Sequence, residues 1–103
     1  MNKNNTQDHF EILRKVEKKP KATQRELAKE LGFSLGKLNY CLKSLQKKGL
    51  IKIKNFKKNP KKMSYLYILT PKGISEKTKL TLNFMKRKME EYEELKKEIE
   101  KKK

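Results

Sequence analysis

The central stretch of the chain, residues 23–62, reads TQRELAKELGFSLGKLNYCLKSLQKKGLIKIKNFKKNPKK and contains most of the information about the fold. Thr23 precedes Glu26 by three residues, which is the spacing of a capping box at the start of a helix. Apolar residues follow at helical intervals until Gly32-Phe33 interrupts them. The pattern predicts a helix over residues 24–31 that ends in a tight turn.

A second helix is predicted directly after this turn. Ser34 can cap its first turn, and Gly49 can end it, because glycine adopts the left-handed conformation that a helix terminus often needs. Between them, residues 35–48 place their apolar side chains on one face. The residues predicted to face the core are Leu38, Cys41, Leu42 and Leu45.

Two strand-forming segments follow the second helix. Leu50, Ile51 and Ile53 are interleaved with Lys52 and Lys54. Residues 63–69 are rich in tyrosine, leucine and isoleucine, which favour strands. The polar tip between them, residues 55–62, contains the turn signal Asn59-Pro60. Helix, turn, helix and hairpin together predict a winged helix-turn-helix, a fold that places one helix in the major groove of DNA.

The N-terminal region is predicted to add one more helix. Residues 1–5 are polar and predicted to be disordered, whereas Thr6 can cap a helix with Asp8 in its first turn. Pro20 ends this helix, because the residue before a proline disfavours the helical conformation. Its apolar stripe consists of Phe10, Ile12, Leu13 and Val16.

The C-terminal region is predicted to form one long helix. Thr70 can cap it, with Pro71 as the first helical residue, and no glycine or proline occurs after Gly73. The predicted fold class is therefore mainly α with a small β-hairpin (α+β). It comprises a winged helix-turn-helix domain over residues 6–73 and a long helix over residues 74–103.

Apolar residues recur along the long helix and predict that it associates with a second copy of the chain. Met85, Tyr92 and Ile99 are seven residues apart, although Lys88 and Lys96 interrupt the intervening positions of this coiled-coil pattern. The alternative is a solvated single helix. The predicted dimer interface consists of Phe10, Leu13, Leu82, Met85, Met89, Tyr92, Leu95 and Ile99.

The charge of the chain predicts a polyanionic partner. The 103 residues carry 29 Lys and Arg against 12 Asp and Glu, for a net charge of +17. Residues 1–71 hold 18 basic and 5 acidic groups, whereas residues 72–103 hold 11 and 7. No carboxylate occurs between Glu30 and Glu76. A general lysine bias explains this uneven distribution poorly, so we expect nucleic acid to bind the winged helix-turn-helix.

The outward face of the second central helix is the predicted site of base contacts. Asn39 can pair with adenine, Lys37 can reach guanine, and Tyr40 can contact a phosphate or a thymine methyl group. Lysines of the hairpin can follow the flanking backbone, although lysines also protect exposed sheet edges. The predicted DNA-binding residues are Gln24, Arg25, Ser34, Gly36, Lys37, Asn39, Tyr40, Lys43, Lys54, Lys57, Lys58, Lys61 and Lys62.

The sequence contains no pattern typical of a metal-binding or catalytic site. His9 and Cys41 are the only histidine and cysteine, which is not a metal-binding pattern, and we predict no metal or other cofactor. Cys41 lies on an apolar face and is predicted to pack in the core, with a redox role as the alternative. No catalytic carboxylate pair, phosphate loop or activated nucleophile is visible, so an enzyme is not predicted. The single cysteine and the lack of a secretory or membrane-spanning segment predict a cytoplasmic protein.

The segments ATQRELAKELGFSLGKLNYCLKSLQKKGLIKIK (residues 22–54) and YLYILTPKG (residues 65–73) resemble the MarR-type winged-helix transcription regulators, in particular their small exopolysaccharide-associated (EPS-associated) branch. The resemblance extends over about residues 6–88. It implies a homodimer on a pseudo-palindromic operator, with the second central helix in the major groove. The positions where the family contacts DNA are Ser34, Lys37, Asn39, Tyr40 and Lys43.

The chain departs from this family in length. Typical members carry additional helices that build the dimer and a small-molecule pocket, so an effector is left open here and dimerisation is expected to involve residues 6–19 and 74–100. The wing also carries lysines where an arginine is common. A two-fold dimer predicts half-sites about one helical turn apart. The alternatives are a nonspecific architectural DNA-binding or RNA-binding protein, and a protein-interaction module.

Overall fold

The computed structural model describes residues 3–59 and 62–101, and it describes residues 3–5, 55–59 and 62–65 by their backbone alone. Within this part of the chain, four helices flank one antiparallel pair of strands, which confirms the predicted fold class. The elements are α1 (Lys3–Lys18), α2 (Gln24–Leu31), α3 (Leu35–Lys47), β1 (Ile51–Asn59), β2 (Lys62–Leu69) and α4 (Pro71–Lys101).

The two central helices begin and end where the sequence predicted. The Thr23 hydroxyl accepts a hydrogen bond from the Glu26 amide at 3.1 Å, and Ser34 caps α3 in the same way. Gly32 and Gly49 both adopt positive φ, at 72° and 76°. Gly32 directly follows α2, and Gly49 follows α3 after the capping residue Lys48. This conformation is strained for any residue with a Cβ atom, so these glycines determine where the chain turns.

The core lies where α1, α2 and α3 meet the base of the hairpin. Tyr67 of β2 is buried, and its backbone amide donates a hydrogen bond to the Pro20 carbonyl at 3.0 Å, which ties the hairpin to the loop after α1. The four residues predicted for the inner face of α3 are all buried. The core residues include Ile12, Leu13, Val16, Leu27, Leu38, Cys41, Leu42, Leu45, Leu50, Ile51 and Tyr67.

Two predicted boundaries are wrong. Helix α1 begins at Lys3, so residues 3–5 are helical where disorder was expected. Once the packed part of α1 exists, an additional turn needs no new nucleation, and polar residues tolerate it. The strands also extend into the predicted tip over residues 55–62. Strands β1 and β2 remain paired as far as Asn59 opposite Lys62, with an irregularity in the register between Lys57 and Asn59.

The predicted role of Phe10 and Leu13 in a dimer interface is also wrong. Both side chains are buried within the protomer. The first turns of α4 run back against α1, and the ring centroids of Phe10 and Phe84 lie 5.8 Å apart. An ion pair between Lys77 and Glu17 joins the same two helices. The apolar face of α1 is therefore occupied by the chain itself.

A compact junction connects the end of α3, the base of the hairpin and the start of α4. Thr70 donates its hydroxyl proton to the Gly49 carbonyl at 2.6 Å and its amide proton to the Leu50 carbonyl at 3.0 Å. The Thr70 hydroxyl also accepts a hydrogen bond from the Gly73 amide, which confirms Thr70 as the cap of α4. A Cβ atom at Gly73 would lie 1.9 Å from the Leu50 carbonyl oxygen. Gly73 is therefore required for the close packing of α4 against the turn that follows α3.

Helix α4 extends far beyond the folded body. Its 31 residues correspond to about 46 Å at 1.5 Å per residue, and the longest dimension of the protomer is 68 Å. Its apolar residues from Leu82 to Ile99 are exposed, apart from Phe84. No helix in the described part of the chain combines the length and apolar character needed to cross a membrane.

His9 makes the stability of the fold dependent on pH. It is buried, its Nε2 atom has no hydrogen-bond partner, and desolvation followed by the positive charge of Lys48 lowers its pKa. Below the ordinary pKa of histidine, His9 is protonated more readily in the unfolded chain than in the folded chain, so the folded state loses stability there. We therefore expect the urea concentration at the unfolding midpoint to decrease as the pH is lowered from about 7.5 to about 5.5, a range in which most carboxylates remain ionised.

The matched variant for this prediction is His9→Gln, which removes the only histidine of the chain. It should reduce the midpoint at high pH and make the profile flatter over the same interval. An equally steep loss of stability in His9→Gln would show that another group is responsible.

Candidate nucleic-acid interface

The outward face of α3 is well positioned to contact a nucleic acid. The helix buries one face in the core, so the opposite face is held rigidly at the surface. Tyr40 is 71% exposed and the most prominent apolar side chain of this face. The exposed residues of the predicted contact set on α3 are Gly36, Lys37, Asn39, Tyr40 and Lys43. The structure brings these five residues together on one surface.

The start of α3 offers donors for a phosphate group. The Ser34 oxygen already accepts a hydrogen bond from the Lys37 amide, which leaves the hydroxyl proton available to donate. No atom lies within 4 Å of the position that a Cβ atom would take at Gly36, so a ligand can approach the backbone closely there. On α2, Arg25 is exposed and Gln24 is half-buried. These positions suit contacts to a sugar-phosphate backbone.

The ammonium group of Lys37 contacts two side chains of the same protomer, which the sequence did not predict. Its ammonium nitrogen lies 3.1 Å from a carboxylate oxygen of Asp8 on α1 and 4.3 Å from the centroid of the Phe33 ring. The Asp8 side chain is only 18% exposed. Asp8 was predicted merely to complement the dipole of its own helix, and no sequence pattern links it to Lys37. The structure thus adds an acidic residue to the edge of the interface.

We expect Asp8→Asn to strengthen binding to duplex DNA. The substitution removes the ion pair that holds Lys37 and a negative charge that repels phosphates, so affinity should rise about three- to tenfold at ~0.1 M salt. The control is Glu11→Gln, which removes the same charge from α1 without affecting Lys37. Fluorescence anisotropy with a labelled duplex would measure both variants, and equal increases would rule out a specific role for Asp8.

The hairpin contributes further positive charge. Lys54 is exposed near the base of β1. The side chains of Lys57, Lys58 and Lys62 are not among those described, and Lys61 lies outside the described residues. The predicted contacts of these four lysines therefore stay predictions.

The chemistry of Cys41 agrees with a structural role. The side chain is buried, and desolvation raises the pKa of its thiol. Because the thiolate is the reactive form, burial makes Cys41 a poor redox sensor. Within the described residues, no group of three or more His, Cys, Asp and Glu side chains is arranged to hold a metal ion.

A small cavity lies between α1, the end of α3 and the start of α4. Its volume is about 270 Å³, and its lining includes His9, Lys48, Lys72 and Leu80. Pockets for drug-sized ligands typically range from about 300 to 1,000 Å³. The cavity therefore gives little support for a large effector.

Comparison with known proteins assigns the fold. Residues 9–52 match the family described as winged helix-turn-helix DNA-binding. No curated protein matches the chain. Among solved structures, a MarR family transcription regulator is 27% identical, with a TM-score of 0.69 over 82% of this chain and 55% of that one.

Two further solved structures are DNA complexes. The transcriptional repressor CouR, bound to a 23-mer duplex, is 23% identical with a TM-score of 0.70. FabT of Streptococcus pneumoniae, in complex with DNA, is 24% identical with a TM-score of 0.64. Each match covers 84% of this chain and 59% of the other.

The chain thus spans little more than half the length of these three structures. None of them bears on the exopolysaccharide-associated branch. The chain contains a winged helix-turn-helix domain and has the fold of the MarR family transcription regulators.

Proposed function

We propose that this protein is a cytoplasmic, non-enzymatic member of the MarR family that binds specific DNA sequences as a homodimer and regulates transcription. The main support is the exposed face of α3, which presents polar and basic side chains and no carboxylate of its own. A solvated face would tolerate glutamate as readily as lysine. The absence of acidic residues between Glu30 and Glu76 is better explained by a polyanionic ligand.

In the proposed complex, α3 lies in the major groove. Asn39 reads an adenine, Lys37 and Lys43 are available to guanine or phosphate, and Tyr40 contacts a thymine methyl group or the backbone. Ser34, Gln24 and Arg25 bind phosphates beside the groove. The lysine-rich hairpin lies along the flanking backbone.

A homodimer would present two copies of this surface, related by a two-fold axis, to a pseudo-palindromic site. Such a complex within a promoter would exclude the transcription machinery by occupancy. We therefore propose repression by steric occlusion. DNA complexes of proteins with this fold, including one described as a transcriptional repressor, support this proposal.

Selection of bound duplexes from a random DNA pool at about 150 mM salt would test the proposed function. We expect an enriched motif with two-fold symmetry. Asn39→Ala, selected in parallel, should relax the preference at one position of each half-site. The expected cost of this substitution for the best site is about 1–3 kcal/mol.

The alternative is a nonspecific architectural DNA-binding or RNA-binding protein, which the net charge of +17 would also permit. It predicts no enriched motif, similar affinity for unrelated duplexes, and binding that weakens steeply with salt. That result, or tighter binding to RNA than to any duplex, would contradict the proposed function.

A further inference from the structure

The projecting part of α4 carries a regular apolar seam. Its positions alternate by three and four residues, as in a coiled coil, and the apolar side chains of the seam are 53–66% exposed. The seam residues are Leu82, Met85, Met89, Tyr92, Lys96 and Ile99. A helix with such a stripe leaves apolar surface in water unless a second helix covers it.

An antiparallel second copy would cover this seam with matching residues. If a two-fold axis passes between Glu90 and Glu91, Leu82 packs opposite Ile99 of the partner and Met89 packs opposite Tyr92 of the partner. Lys96, the one polar residue of the seam, then lies opposite Met85 of the partner. Its aliphatic stem can cover that side chain while its ammonium group reaches water.

In the same register, the charged residues beside the seam lie opposite residues of opposite charge in the second copy. Lys79, Lys86, Glu93 and Glu100 recur every seven residues along one edge of the seam, and all four are exposed. In an antiparallel pair, this edge faces the same edge of the second helix. Lys79 is then paired with Glu100 of the partner, and Lys86 with Glu93 of the partner. The two-fold axis repeats both pairs, so the order of two lysines followed by two glutamates is self-complementary.

A parallel pair fits the same residues less well. It would place Lys96 opposite Lys96 inside the seam, where two like charges repel each other. Along its edges, only Lys88 and Glu93 would come together as opposite charges. The charge pattern therefore favours the antiparallel orientation.

We propose that α4 forms an antiparallel two-helix coiled coil with a second copy of this chain, with the two-fold axis between Glu90 and Glu91. The inference builds on the homodimer of the proposed function and specifies its orientation and register. The overlap covers about 24 residues of each helix, or ~36 Å.

The antiparallel orientation changes the expected spacing between the two half-sites of the operator. The starts of the two α4 helices would be about 58 Å apart along the coiled coil, since roughly 39 residues separate them at 1.5 Å each. The two folded bodies lie at opposite ends. One helical turn of DNA spans only about 34–36 Å, so half-sites about two turns apart are expected instead of the single turn that the sequence suggested.

Disulfide formation between two single-cysteine variants of the full chain, Leu82→Cys and Ile99→Cys, would test the orientation. Both positions are exposed, and the native Cys41 is buried, so the unmodified chain serves as the unreactive control. One variant carries a tag that distinguishes it by mass. Mixing the variants under mild oxidation should give the mixed dimer. Each variant alone should give little product, because equivalent residues would lie about 25 Å apart, whereas a disulfide needs Cα atoms within ~7 Å.

Light scattering on the unmodified chain separates failure of the inference from failure of the proposed dimer. A dimer whose Leu82→Cys and Ile99→Cys variants each cross-link to themselves would overturn the antiparallel orientation and leave the homodimer intact. A monomer at all concentrations tested would overturn both. If the mixed disulfide forms but the selection from random DNA yields no enriched motif, only the proposed sequence-specific DNA binding would be overturned.

Charge exchange tests the register independently. Lys86→Glu alone and Glu93→Lys alone should each weaken self-association about tenfold, because each creates a like-charge pair twice per dimer. The double variant should return to within about threefold of the parent, since its charges are again opposite in this register. Additive weakening in the double variant would contradict the proposed pairing of these two positions.

Discussion

Gly73→Ala is expected to lower the free energy of unfolding by about 3 kcal/mol. A Cβ atom at Gly73 would lie 1.9 Å from the Leu50 carbonyl oxygen and 2.9 Å from its carbon, and both are backbone atoms. Relief of this overlap requires α4 to move away from the hairpin. That movement would lengthen the hydrogen bonds from Thr70 to the Gly49 and Leu50 carbonyls. Urea unfolding followed by circular dichroism would measure the loss.

The matched control is Gly36→Ala on α3. This glycine is also helical, but no atom lies within 4 Å of the position that its Cβ would take. Alanine should therefore raise the free energy of unfolding by about 0.5–1 kcal/mol, which is the usual gain for this exchange in a helix. Similar changes in the two variants would show that the contact with Leu50 is not what constrains Gly73.

Gly36→Ala also provides a separate test of the DNA interface. If the backbone at Gly36 approaches DNA closely, the added methyl group should weaken binding although the fold becomes more stable. Unchanged affinity would place Gly36 outside the contact surface while leaving the stability prediction intact.

Lys43→Glu is expected to reduce affinity for the selected operator at least about 100-fold at ~150 mM salt. Lys43 is exposed on the outward face of α3, and the reversal places a negative charge among the DNA phosphates. The residue has no partner within the described part of the chain, so the loss should not reflect misfolding. Fluorescence anisotropy would measure the affinity, and an unchanged urea midpoint would establish that the fold is intact.

The control for net charge is Lys101→Glu. Lys101 is exposed at the far end of α4, away from the folded body. It undergoes the same change of two charge units, but affinity should fall less than about threefold if only the overall charge is altered. A large and equal loss in both variants would indicate that the long-range field of the protein, rather than α3, controls binding.

Local sequence signals predicted the central helices accurately because their ends depend on short-range hydrogen bonds. Thr23 and Ser34 cap the helices that immediately follow them, and Gly32 and Gly49 supply the left-handed residues that end them. These interactions involve residues no more than about four or five positions apart. The apolar spacing likewise predicted the buried face of α3, and hence the face that is left exposed.

Long-range packing explains where the predictions failed. Phe10 has the same apolar character whether it meets a second copy or the same chain, and only the course of α4 shows that it packs against Phe84. Leu13 is likewise buried in the core of the protomer. The ion pair between Asp8 and Lys37 joins residues 29 positions apart, without any local pattern to indicate it. The need for glycine at position 73 also depends on a carbonyl group contributed by a distant part of the chain.

The amino-acid order thus specified where α2 and α3 begin and end, the outward residues of α3 and the charge pattern of α4, since each depends on neighbours along one element. The folded chain specified which apolar faces are already covered, which lysine is held by a carboxylate and which glycine must lack a side chain. These properties depend on contacts between elements, whose geometry is set by the packing of the whole core.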